Sequence, residues 1–441
     1  MREKLQSRFG FLMLAAGCAV GLGNVWRFPF VAGQNGGAAF VLVYLAFLVL
    51  LGFPLLVVEL AIGRRAACGI ARAMPKLAGG RHVALWRTLA CLVFAGNFVL
   101  MAYYTDVAGW LVKFARDYAV CGTPVPFSHL LADKPVRTLY MLLTVALATA
   151  VCCAGVVKGV ERVTKVLMVS LLALLCVLAA KALSLPGAGA GVRFYLLPDW
   201  GAFLARPGRV VMAAMGQAFF TLSLGVGCMT IFGSYITREH SLVKEAALII
   251  AIDTFVALLA GLVVFPACHA CGVEPSSGPG LVFSALPEVF SRMAGGRVWG
   301  LGFFLFLAFA ALTTVIAVFE CLIGGLCDEK RARDGQDIAR SFRPFVALLV
   351  GVAVALASLP CVLWEKALEI EDFAVSQLWL PLGALVQCLF ATWAFGWGWR
   401  RFRGEASRGD GANMPAAAKY WMRFFLPLLI LAVLVGGLVA S

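Results

Sequence analysis

The stretch AGCAVGLGNVWRFPFVAGQNGG, residues 16–37, decides how this chain is read. It lies within the first long apolar run, yet it holds six glycines, a proline, two asparagines and an arginine. Glycine and proline weaken a helix interior, and a charge inside a membrane is costly. An interrupted helix survives in hydrocarbon only where its bared peptide groups face protein, water or a ligand. The stretch therefore predicts a span broken near its middle for a purpose.

The rest of the chain supplies the membrane context. Of 441 residues, 62% are hydrophobic and 14% charged, whereas an ordinary soluble domain carries about a quarter charged residues. This composition predicts an all-α polytopic membrane protein without a sizeable soluble domain. A bilayer core takes ~20 apolar residues per helix. Eleven segments qualify, at about 9–32, 37–63, 84–117, 138–155, 160–181, 209–235, 242–272, 297–327, 342–360, 364–396 and 421–440. Several exceed ~25 residues, which leaves room for tilt or a break. The first run is too long for a cleavable leader and lacks a small-residue cleavage site.

The net charge of +14 is accounted for by topology rather than by nucleic acid. With the N-terminus placed in the cytoplasm, 25 of the 37 Lys and Arg fall on inner segments and 11 on outer ones. That bias puts the N-terminus inside and, after eleven spans, the C-terminus outside. The 14 cysteines are scattered through apolar runs and read as small buried hydrophobes. ACHAC at 267–271 lacks a further metal ligand and reads as a helix end. PSSGPG at 275–280, followed by LPEVF, reads as a turn and a short surface or re-entrant helix.

The sixth segment echoes the first. Gly21, Leu22 and Gly23 in the first correspond to SLGVG, residues 223–227, in the sixth. Five spans separate them, so two five-span halves would be inverted relative to each other. Paired interrupted helices at such places mark a transport site. GxG on its own equally suits close helix packing. Freed carbonyls suit a small cation, and freed amides suit a carboxylate. Oxygen donors at mid-depth are Asn24, Thr221, Asp253, Thr313 and Thr314. Asp253 is an ionisable group deep in the seventh segment, which calls for a partner or a function. Arg27 with Asp372 at the outer level, and Arg2 with Asp328 at the inner level, have the sign and depth of two gates; ordinary interfacial charge is the other reading.

Five motifs, AVGLGNVWRFP, NGGAAFVLVYL, GFPLLVVELAIGR, GQAFFTLSLGVG and FAALTTVIAVFE, closely resemble the neurotransmitter:sodium symporter family and its bacterial amino-acid transporter branch. The resemblance covers essentially the whole chain. It implies one transmembrane domain over 1–441, with inverted repeats at about 9–181 and 209–396, an extra helix at about 421–440, and spans one and six unwound. Many relatives have a twelfth span, so dimer contacts would differ, and a homodimer stays open. The implied location is the inner (plasma) membrane.

The resemblance also implies site residues. A first sodium site would use the Ala19 carbonyl, Asn24, Thr221, Asp253 and the substrate carboxylate. A second would use carbonyls of Gly17, Val20 and Ala310 with hydroxyls of Thr313 and Thr314. The carboxylate would meet the Leu22 and Gly23 amides and the Tyr104 hydroxyl. The ammonium would meet carbonyls of Ala19, Phe220 and Thr221 and the Ser223 hydroxyl. Tyr104 and Phe220 would form a lid beneath an Arg27–Asp372 gate with Gln217 beside it, and Arg2–Asp328 would close the inner side. Leu100, Phe220, Val226, Thr314, Ala317 and Val318 would line an apolar pocket for a neutral, hydrophobic or aromatic amino acid. Amine-carrying members have an aspartate in span one near Cys18; none occurs there. Chloride-dependent members have a neutral residue where Asp253 stands and a serine one turn on, where this chain has Ala257. Transport without chloride is therefore expected. The implied activity is sodium-coupled symport by alternating access, with no enzymatic chemistry. A sodium-dependent amino-acid sensor would share the same binding motifs.

Overall fold

Apolar runs of this length pair their backbone groups internally, so helices dominate. The computed structural model describes residues 5–273, 280–335 and 342–439. No strand occurs among the described residues; a single isolated bridge joins His240 and Asp410. Among the described residues, nine continuous helices are long and apolar enough to cross a membrane: Ala38–Ala66, Val83–Val120, Lys134–Cys153, Val156–Leu183, Leu242–Ala270, Gly296–Asp334, Phe342–Leu363, Lys366–Thr392 and Ala418–Val439. They match expected spans two to five and seven to eleven.

The first span is a bent pair, Arg8–Ala19 and Gly23–Gln34, meeting at 54°. Ser7 caps its start by accepting from the Gly10 amide at 2.9 Å. The helix stops where Val20 swings to ψ +91°. The sixth segment is also split, into Pro207–Thr221 and Cys228–Gly233, and neither piece crosses a membrane by itself. Its break carries three residues with left-handed backbone: Ser223 at φ +50°, Gly225 at +97° and Gly227 at +77°. Glycine adopts that conformation without strain, but serine does not.

The breaks are held in the middle of the bundle. The first half of span one packs on spans five, seven and eight, and its second half meets span seven and the start of span six. Spans three, four, eight and nine pack on one another as a continuous support. Some approaches leave no space for a side chain. A Cβ on Gly383 of span ten would lie 1.8 Å from the Gly225 carbonyl oxygen, and one on Gly63 of span two 1.8 Å from that of Thr230.

One boundary differs markedly from expectation. Span eight runs to Asp334, well past the expected end at 327, because its charged last turns leave the apolar layer. LPEVF is helical within Leu286–Arg292, whereas most of PSSGPG lies outside the described residues. His269 bonds the Phe265 carbonyl of its own helix at 2.9 Å, as a helix end would. All 14 cysteines are free.

Gly63→Ala is expected to lower the melting temperature of the purified protein. Forcing the backbones apart costs about 1–3 kcal/mol. Gly216→Ala, which meets nothing within 4 Å, is the neutral comparison. Equal melting temperatures would contradict the packing described.

Candidate functional site

The two breaks expose peptide groups to each other, and the surrounding side chains complete them. Thr314 of span eight is the joint on one side. Its hydroxyl lies 3.3 Å from the Gly17 carbonyl oxygen, 3.5 Å from that of Val20 and 3.3 Å from that of Ala310. The Thr313 hydroxyl lies 2.9 Å from the same Ala310 oxygen. Five neutral oxygens thus converge from spans one and eight. Oxygens held at ~2.4 Å around a hard cation such as Ca²⁺ are separated by about 3.4 Å along an octahedral edge, so this spacing suits a cation of that size.

Asp253 organises a second cluster. It is fully buried. Its Oδ1 accepts from Asn24 Nδ2 at 2.8 Å, and its Oδ2 from the Thr221 hydroxyl at 3.1 Å. Asn24 also donates to the Asp253 carbonyl at 3.1 Å, and its Oδ1 accepts from the Gly21 amide at 3.3 Å. Asn24 and Thr221, which bond this carboxylate, are both neutral. A buried carboxylate without a cationic side chain is satisfied either by a proton or by a cation from elsewhere. Among the described residues no three His, Cys, Asp or Glu converge as a metal group.

Between the clusters, the Leu22 amide donates to the Tyr104 hydroxyl at 3.1 Å. This brings together two of the groups expected to meet a carboxylate. A Cβ on Gly21 would lie 2.7 Å from the Tyr104 hydroxyl and 2.8 Å from that of Thr314, and one on Gly23 would lie 2.8 Å from the Phe220 ring. Those glycines keep the space open. The Ser223 hydroxyl donates to the Cys18 carbonyl at 3.3 Å, next to Ala19, the last residue of its half-helix. Leu100, Val226, Thr314, Ala317 and Val318 are buried, and Phe220 is partly buried.

The gate residues are arranged differently from the expected ion pairs. The Arg27 guanidinium lies over the Phe220 ring, 4.3 Å from its centre. No Arg27–Asp372 bridge occurs among the described residues, and both side chains are half-buried. Gln217 is buried and donates to the Gly23 carbonyl at 2.9 Å, bracing the break in span one. Arg2 lies outside the described residues. Asp328 accepts from the Gly69 amide at 2.8 Å. Other contacts tie down the N-terminal strap. Glu161 accepts from the Gln6 amide and the Ser7 hydroxyl, both at 2.9 Å, and Arg8 pairs with Glu245 at 2.8 Å. Glu320 in turn takes Arg343 and Tyr235.

Sequence reasoning assigned no role to Glu161, Glu245, Arg343 or Asn97. Glu59 accepts from the Gly225 amide at 2.7 Å and from Gln387 at 3.0 Å, so it holds the break in span six. An ionisable residue within a span was the available signal.

Comparisons with known proteins cover nearly the whole chain. A model of the sodium:neurotransmitter symporter family matches residues 2–120 and 130–441. An uncharacterized sodium-dependent transporter of Bacillus subtilis, YhdH, is 35% identical over 97% of this chain and 96% of its own length. An uncharacterized sodium-dependent transporter of Haemophilus influenzae is 30% identical over 99% of this chain and 98% of its own. The crystal structure of MhsT in complex with L-phenylalanine superposes with a TM-score of 0.85 at 34% identity, covering 99% of this chain and all of that one.

Thr314→Val keeps the shape of the side chain and removes its hydroxyl. The expected outcome is at least about a tenfold rise in the Na⁺ concentration needed to stabilise the protein thermally, which is ~1.4 kcal/mol. An unchanged concentration would remove Thr314 from the cation cage.

Proposed function

Because the chain belongs to the sodium:neurotransmitter symporter family, a family of membrane transporters rather than enzymes, we propose that it imports a neutral, hydrophobic or aromatic L-amino acid together with two Na⁺ ions. The observation that carries the reading is the buried Asp253 carboxylate with neutral partners, beside the Thr314 cage. One Na⁺ sits at Asp253, Thr221, Asn24, the Ala19 carbonyl and the substrate carboxylate. Turning the Asn24 amide about its last torsion presents its oxygen to that ion. The second Na⁺ sits among Gly17, Val20, Ala310, Thr313 and Thr314.

The substrate carboxylate takes the place that the Tyr104 hydroxyl now fills at the Leu22 amide, and the Gly23 amide lies beside it. The ammonium faces Ala19, Phe220, Thr221 and Ser223. The side chain enters the pocket of Leu100, Phe220, Val226, Thr314, Ala317 and Val318. No charged residue is in that set, and the L-phenylalanine bound in MhsT supports an apolar or aromatic cargo.

The first ion touches both Asp253 and the substrate, so each ligand strengthens binding of the other, and the coupling is reciprocal. The second ion joins span one to span eight, so its release loosens the halves that must move. The repeats rock about this site with the N-terminus cytoplasmic. Asp253 supplies the negative charge near the ion, and chloride is not required.

Phenylalanine accumulation in proteoliposomes under an inward Na⁺ gradient tests the reading. Accumulation is expected with chloride or with gluconate outside, and none with potassium replacing sodium. Binding without accumulation would instead indicate a sensor, and collapse in gluconate would refute the role given to Asp253. Asp253→Asn is expected to raise half-saturating Na⁺ at least about tenfold.

A further inference from the structure

Asn97 lies one turn before Leu100 in span three and is fully buried. Its Nδ2 donates to the Val226 carbonyl at 2.6 Å and to the Phe94 carbonyl of its own helix at 3.1 Å. Its Oδ1 accepts from the Cys228 thiol at 2.9 Å. Two carbonyls require donors and one thiol an acceptor, so these partners fix the orientation of the amide.

Val226 is the centre of the break in span six. It stands between Gly225 and Gly227, both at positive φ. A turn of that kind has no helical ladder to hold its carbonyl, and a bare carbonyl at this depth is costly. Two side chains from the neighbouring spans hold it. Glu59 of span two takes the Gly225 amide, and Asn97 of span three takes the next carbonyl and the thiol two residues on. The Val226 side chain also abuts span three. A Cβ on Gly96 would lie 3.0 Å from Val226 Cγ1 and 2.6 Å from Trp379.

We propose that Asn97 is a positioning residue that fixes Val226 at the wall of the substrate pocket, and so sets the largest side chain the protein accepts. The inference rests on the reading that Val226 lines that pocket. Asn97→Ala removes the donor and opens space behind the turn, and the flanking glycines let Val226 withdraw. Asn97→Gln keeps both hydrogen-bonding ends but lengthens the side chain by one methylene, which pushes Val226 into the pocket. The two variants therefore shift selectivity in opposite directions.

The test is competition by valine, leucine, phenylalanine and tryptophan against sodium-driven uptake in proteoliposomes. Asn97→Ala is expected to move the tryptophan-to-leucine preference toward tryptophan by about tenfold, the scale at which a pocket discriminates a methylene. Asn97→Gln is expected to move it toward the smaller side chains. Half-saturating Na⁺ stays unchanged in both, which a general loss of structure would not allow. If only Asn97→Gln folds, its shift alone decides. Uniform loss of uptake for every amino acid, or the same shift in both variants, overturns the inference. A wild-type protein that accumulates none of these amino acids overturns the functional reading instead.

Discussion

A peptide group stripped of its helix in the middle of a membrane must find a partner, and the rest of this molecule is arranged around that requirement. Spans one and six both break at mid-depth. The Leu22 amide is taken by Tyr104 and the Cys18 carbonyl by Ser223, and Gln217 adds a second donor to the Gly23 carbonyl beside the Phe28 amide. The Gly225 amide is taken by Glu59 and the Val226 carbonyl by Asn97. These bonds hold the breaks open, and the remaining oxygens face one another closely enough to cage a cation. Binding and architecture thus depend on the same backbone groups.

The same arrangement explains how ion and cargo are linked. A carboxylate as buried as Asp253, with Asn24 and Thr221 as its side-chain partners among the described residues, retains a strong demand for a proton or a cation. In the proposed reading, an ion that satisfies it would also offer a coordination position to an amino-acid carboxylate. Thr314 reaches from span eight to the carbonyls of span one, so filling or emptying that cage changes how firmly the two elements adhere. The base of the bundle adds a separate clasp, in which Glu161 and Glu245 hold the strap at residues 6–8.

Much of the fold was legible because hydropathy and glycine placement are local properties. Segment positions and the weakness of the first span at Gly21–Gly23 follow from residue order, whereas at 223–227 the pattern equally suited close packing and the resemblance implied the split. The clustering of Thr313 and Thr314 with Gly17, Val20 and Ala310 came through the resemblance of motifs, since the groups lie almost 300 residues apart. Contacts set by side-chain direction were not legible. Arg27 lies over the electron-rich face of Phe220 rather than bridging Asp372. Asn97 and Gln217 are uncharged and stand in apolar runs with no periodic signal, so their carbonyl partners in spans six and one emerge only once the helices are packed. Arg8–Glu245 spans 237 residues and leaves no local trace either.

The central claim concerns cations held by the broken spans, and binding of ²²Na⁺ to the purified protein tests it most directly. The account predicts saturable binding that tightens when phenylalanine is added, with phenylalanine binding tightened by sodium to the same degree. Protein that binds phenylalanine with equal affinity in sodium and in choline, and shows no saturable ²²Na⁺ uptake, would contradict it.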